Sequence, residues 1–327
     1  MKPILSVSKR LFRFALLPIL FVVCFMAGSM VVAGLMPTHI TSEPGLVPAT
    51  TGLMIIALAD VLVIAALILT SRWHGWKLAL SLALAYYGAV TFVMQIETAY
   101  FLSSITVSPQ LLPRLFVMGM PTAFVFIPLA VWILGKGKAS VETSAQTGLT
   151  MPIGQWLWKL NLASMFYVIL YWGAGYFIAW QNPALRAFYG QPGDALPFFV
   201  HTVNTLRSDP WLFPFQSLRT LLWVLCSLPV IWGSKVNPWW TALLVGLLFS
   251  VPQNVGHILA NPLLPVASIR MSHLIETASS TFVFGLLVVW IFHRAHDSFG
   301  DLIGIKLDVS GHGRSIQFNS QSQGNLS

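Results

Sequence analysis

Seven side chains have types and spacings that could do chemistry inside a membrane: Glu97, Arg219, Asn254, His257, Arg270, His273 and Glu276. Arg270, His273 and Glu276 recur every three residues, and Gln253, Asn254, His257 and Asn261 are joined by steps of three and four. Each set therefore makes one polar stripe on a helix. A carboxylate and an imidazole on such stripes can hold and pass a proton, and an arginine beside them can bind phosphate or carboxylate. If the two stripes face each other across a helical hairpin, with Glu97 and Arg219 completing them, they line an outward-facing polar pocket.

Other chemistries are poorly encoded. His257, His273, Glu276 and Glu97 are of types that ligate zinc or iron, but no two histidines stand in a metalloprotease spacing and no Glu and His pair follows the di-iron pattern. No metal site is assigned from these residues, and no cofactor is indicated. A nucleophilic serine flanked by glycines and a glycine-rich phosphate loop are both missing from the sequence. Cys24 and Cys226 lie in apolar runs and cannot support a disulfide scaffold. No catalytic residue is identified.

These few polar groups stand out because the chain around them is apolar. Of 327 residues, 56% are hydrophobic and 9% charged, where an ordinary soluble domain has roughly 25% charged residues. With 13 Trp, 22 Phe and a mean hydropathy of +0.75, the composition excludes a water-soluble globule. The net charge of +8 would suit nucleic acid only on a folded basic face, and here the cations sit in short gaps between apolar runs. The bilayer is the expected partner, with a lipid or small-molecule ligand and no nucleic acid.

A bilayer core of about 30 Å needs about 20 helical residues. Eight stretches qualify, at approximately 13 to 36, 49 to 70, 77 to 102, 115 to 135, 156 to 180, 212 to 233, 239 to 260 and 271 to 292. The expected fold is an all-α polytopic bundle, since the runs are too long for barrel strands and lack their alternation. The first run has a basic start like a signal peptide, but its apolar length favours an uncleaved span.

Basic residues near membrane ends are retained in the cytoplasm. With the N-terminus inside, thirteen of the eighteen fall on inner segments: Lys2, Lys9, Arg10, Arg13, Arg72, Lys77, Lys136, Lys138, Lys159, Lys235, Arg294, Lys306 and Arg314. The other five, Arg114, Arg186, Arg207, Arg219 and Arg270, fall in outer segments or the outer part of a helix. Both termini are expected to be cytoplasmic, in the plasma membrane.

Fixed offsets suggest an internal duplication. At 158 residues Gln95 falls on Gln253, Phe124–Val125–Phe126 on Phe282–Val283–Phe284 and Val131–Trp132–Ile133 on Val289–Trp290–Ile291; at 163, Ser71 falls on Ser234 and Trp76 on Trp239. The expected plan is two four-helix repeats of the same orientation, 1–135 and 156–293, joined by a polar cytoplasmic linker, 136–155, and followed by a polar cytoplasmic tail, 294–327. Glu97 falls on Val255 and Glu276 on Met118, so the pocket is expected to be asymmetric.

The outer loop from Gln181 to Pro210 holds an amphipathic segment. Asp194 is placed to cap it, Leu196, Phe199, Val200, Val203 and Leu206 share one face, and Pro210 stops it. It is expected to lie in the outer interface and cover the pocket. The spacing and the arginines favour a transporter or binding protein for a small anionic, zwitterionic or amphipathic ligand. A membrane-embedded hydrolase or transferase acting on a lipid or lipid-linked substrate, and an accessory subunit of a membrane complex, are the alternatives. Asp60 is the only ionisable group deeper than the outer cluster, so a closed floor above it favours an enzyme and a polar path past it a carrier.

Overall fold

A computed structural model describes residues 2–138, 151–296 and 298–304. Much of the expected linker and tail therefore lies outside the described residues. The protein is an all-α polytopic bundle with eight helices long and apolar enough to cross a membrane: Arg13–Leu35, Ala49–Thr70, Gly75–Leu102, Leu111–Ile133, Ile153–Ala179, Leu212–Gly233, Pro238–Ile258 and Ala267–Phe292, here spans one to eight. It is an integral, multi-pass membrane protein. Its surface carries Ile19, Val23, Met54, Leu62, Leu84, Ile169 and Leu225 exposed, the outward apolar faces that lipid requires.

Span four begins four residues earlier than its apolar run suggested. Ser108 accepts from the amide of Leu111 through its hydroxyl at 3.2 Å, and Pro113 sits in the first turn, where its missing N–H costs nothing. Arg114 is thereby drawn into the helix and donates to the carbonyl of Val31 at 3.3 Å.

Span one packs on spans two and four, span three on span four, and span two also touches spans three and four. Span five likewise packs on six and eight, seven on eight, and six also touches seven and eight. Between the two sets, span two meets span seven and span six meets span three. Exchanging spans one to four with five to eight converts each of these pairings into another. At the end of the bundle nearest the 134–152 connector, the amide of Arg72 donates to Gly233 at 2.7 Å and that of Lys235 to Thr70 at 3.0 Å. The offset of 163 carries one of these bonds into the other.

Helices in lipid gain nothing from excluding water between them, so close van der Waals contact must hold them. Ala57, Ala79, Ala83, Ala89, Ala123 and Ala163 are buried at the interfaces, beside fully enclosed Phe126, Trp223, Phe249 and Phe284. Spans seven and eight are in close contact where Gly246 faces Gly285: a Cβ on Gly285 would lie 2.6 Å from the Cα of Gly246. Backbone occupies that space and cannot move aside as a side chain can.

Gly285→Ala should therefore destabilise the protein by about 1–3 kcal/mol, the usual cost of overpacking. Gly154→Ala, where no heavy atom lies within 4 Å, should be neutral. Thermal unfolding in detergent checks the contrast, and equal midpoints for the two variants would contradict it.

Candidate functional site

The main cavity, about 390 Å³, opens at the loop-rich end of the bundle, between spans three, five and eight and under the 180–211 loop. That volume falls in the range of small-molecule sites. Three secondary elements furnish its wall. Span three supplies Met94, Glu97, Thr98 and Phe101; span five supplies Tyr171, Trp172, Gly175 and Tyr176; span eight supplies His273, Glu276 and Thr277. A π-helical turn at Gly175–Ala179 shifts the register of span five at the cavity, a device often found beside functional sites.

The loop forms the roof. Asn182 accepts from Ala184 N at 3.0 Å and so starts the short helix Pro183–Phe188, while its amide nitrogen donates to Ser272 at 3.0 Å and ties that helix to span eight. Leu185 and Tyr189 are thus held over the cavity. The second helix, Phe198–Ser208, is the amphipathic segment read from the sequence. Phe199, Val200, Val203 and Leu206 are exposed on its outer side, whereas His201 is buried. The His201 ring stacks on Trp172 at 5.2 Å and 9°, and this burial lowers its pKa, so the roof carries a neutral imidazole. Asp194 does not cap the helix: Pro197 occupies the cap position with no side-chain bond.

Of the seven residues singled out, Glu97, His257, His273 and Glu276 line the cavity. Arg219 lies just beneath them. Its guanidinium donates to Glu97 Oε2 at 2.5 Å and to Gln216 Oε1 at 2.8 Å, with the rings of Tyr167 and Phe215 each 5.8 Å away. Arg270 and Asn254 stand outside the cavity. Arg270 is buried and spends its donors on the carbonyls of Leu264, Pro265, Glu43 and Pro44, at 3.0, 2.9, 3.0 and 2.6 Å. A guanidinium has five donors and no acceptor, so one arginine can clamp two loops that offer only carbonyls. Asn254 donates to Ser250 O at 2.7 Å, and its own carbonyl receives His257 Nδ1 at 3.0 Å.

These bonds assign tautomers. A carbonyl only accepts, so His257 Nδ1 carries the proton and Nε2 is left as an acceptor. His273 Nδ1 lies 3.2 Å from Glu276 Oε2 and its Nε2 lies 3.3 Å from Tyr189 OH. The carboxylate accepts a hydrogen bond from Nδ1–H and the phenol donates to Nε2. Burial, reinforced by Glu97 and Glu276, raises the Tyr189 pKa far above its ordinary value, which keeps the phenol a donor. The chain Glu276–His273–Tyr189 is thus an oriented acid–base series facing the cavity. Among the described residues, no three His, Cys, Asp or Glu side chains come together as metal ligands.

The floor is closed. Below Glu97, Tyr171 and Glu276 lies a space of only about 20 Å³, which Arg219, Tyr167 and Thr281 also border. Beneath it Trp223 donates to Tyr167 OH at 3.2 Å and meets Phe249 at 4.4 Å, while Tyr167 meets Phe284 at 4.8 Å. Asp60 is buried deeper, accepting from Tyr86 OH at 2.5 Å, and belongs to the helix packing. The offset of 158 carries His273 and Glu276 to Leu115 and Met118. Those residues pack with Val32, Leu102, Val107, Leu111 and Leu263 in an apolar cluster, so polar site residues have apolar counterparts.

Several lining residues escaped the reading of spacing. Tyr167, Tyr171, Tyr176 and Trp180 recur at steps of four and five along span five, one helix face, and that aromatic stripe was the available signal. Tyr189 and Asp209, whose carboxylate accepts from Tyr100 OH at 2.7 Å, carry no local signature. No protein-family model, curated protein or solved structure matches the chain.

Arg219→Met strands Glu97 in a partly buried site and should cost about 3 kcal/mol, as removal of one partner from a buried pair does. Glu97→Gln combined with Arg219→Met should recover much of that loss. Unfolding in detergent of both single variants and the double variant measures the coupling, and simple additivity would contradict the pairing.

Proposed function

We propose that the protein takes an amphipathic small molecule into this cavity from the outer side of the plasma membrane and acts on it there by acid–base chemistry. It is read as a membrane-embedded hydrolase or transferase. The carrying observation is the packed floor, where Arg219 pairs with Glu97 and the buried rings of Trp223, Phe249 and Phe284 pack together with Tyr167. Lysine and arginine on the connector side support cytoplasmic termini, and the exposed apolar face of Phe198–Ser208 supports a roof lying in the lipid interface.

In this reading the Tyr189 hydroxyl turns from His273 Nε2 towards the substrate, and the freed Nε2 accepts a proton from a substrate hydroxyl or a water. Glu276 holds the imidazole in the required tautomer and stabilises the imidazolium formed. Tyr189, kept protonated, donates a hydrogen bond to the group that gains negative charge. Glu97 pairs with Arg219 at 2.5 Å and shapes the field from below.

A second reading, a carrier, draws support from the exchange-related packing of spans one to four and five to eight. That packing and the 158- and 163-residue correspondences support two tandem four-span units of one orientation. A carrier must open its site to both sides, and a processing enzyme need not.

Sidedness separates them. In a Cys24→Ala, Cys226→Ala background in sealed vesicles, Thr98→Cys should react with a membrane-impermeant thiol reagent from the outer side only. Reaction from the inner side as well would overturn the one-sided reading in favour of the carrier.

A further inference from the structure

The arginines that suggested an anionic ligand are absent from the cavity wall. Arg270 is spent on four carbonyls, Arg186 donates to Gly193 O and Trp180 O at 2.9 and 2.7 Å, and Arg219 lies beneath Glu97. Among the described residues no lysine or arginine lines the cavity, whereas Glu97, Asp209 and Glu276 do. Arg219 balances one of these three carboxylates. Asp209 accepts from a neutral phenol, Tyr100, which leaves its charge in place, and Glu276 faces an imidazole. The wall therefore carries a surplus of negative charge.

The remaining lining is aromatic. Trp172, Tyr176 and Trp180 surround the neutral His201 ring at centroid distances of 5.2, 5.4 and 4.9 Å, and Tyr171, Tyr189 and Phe101 close other sides. Aromatic faces carry negative quadrupole potential and attract ammonium groups, most strongly where water is excluded. Carboxylates and ring faces thus act in the same direction, and each repels an anion.

We propose that the cavity recognises a cationic headgroup, an amine or quaternary ammonium, borne on an apolar tail. The proposal rests on reading the cavity as a ligand site and, of the anionic, zwitterionic or amphipathic ligands expected from the sequence, keeps the amphipathic one with a cationic head. Two sources offer this chemistry: a free alkylammonium amphiphile and the ammonium end of a membrane lipid.

Calorimetric titration of the full chain in maltoside detergent with butyltrimethylammonium is the test, with butyl sulfate as the matched anion. The cation should bind saturably and the anion should not. Asp209→Asn, which preserves an acceptor for Tyr100, and Glu276→Gln should each weaken binding about tenfold, on the scale of one screened charge contact. Thr98→Trp, which fills the cavity, should abolish it. In nanodiscs of phosphatidylcholine, competition absent from phosphatidylglycerol nanodiscs would identify the lipid headgroup as the source; equal binding in both supports the free amphiphile. Saturable binding of butyl sulfate that Thr98→Trp abolishes would overturn the charge assignment and leave the cavity a ligand site. Binding of neither probe, or binding indifferent to Thr98→Trp, would overturn both.

Discussion

The cost of keeping Arg219 charged below the cavity governs the arrangement around it. A guanidinium so far from water needs a compensating charge, and Glu97 provides it at 2.5 Å, while Gln216 accepts a second bond at 2.8 Å. To reach Arg219, Glu97 must come down from span three while span six brings the arginine from the other side. The pair thus fixes the separation of spans three and six and sets the cavity depth. Because it also neutralises one carboxylate and one cation together, it leaves Glu276 and Asp209 to determine the potential felt above.

The polar site belongs to one side of the bundle. His273 and Glu276 face span five, where a Cβ on Gly175 would make an ordinary contact with Glu276 Oε1 at 3.7 Å. Their offset counterparts Leu115 and Met118 face the apolar cluster around Val32 and Leu111. Similar helix pairings therefore surround two different environments, one solvated and acidic, the other filled. A buried carboxylate needs partners in either place, and only the first offers an imidazole, a phenol and a cavity.

The fold was legible because lipid imposes a composition and a length on each crossing, and all eight spans were recovered to within a few residues. Span four began early because Ser108 and Pro113 start a helix before its apolar run does, a local effect hydropathy does not register. The site was legible in part. Spacing along span eight correctly joined His273 to Glu276, but it also joined Arg270, whose donors turn to loop carbonyls contributed by Glu43 and Pro44, more than 200 residues away. Periodicity shows which residues share a stripe and not which neighbours lie beyond it. For the same reason Arg219 and Arg270 were read as facing the ligand, and Tyr189 and Asp209, brought in by the loop, were passed over. The aromatic stripe of span five was readable and pointed to the wall that the polar residues alone did not complete.

The central claim is that the polar cavity ends at Glu97 and Arg219. Its most direct test is a spin-label scan along span eight, at residues 277, 281, 284 and 288, reading collision with a water-soluble nickel chelate added to both sides of the membrane. The account predicts strong collision at 277, a sharp fall at 281 and none at 284 or 288. Collision persisting through 284 and 288 would reveal a water path beyond the floor and contradict the account.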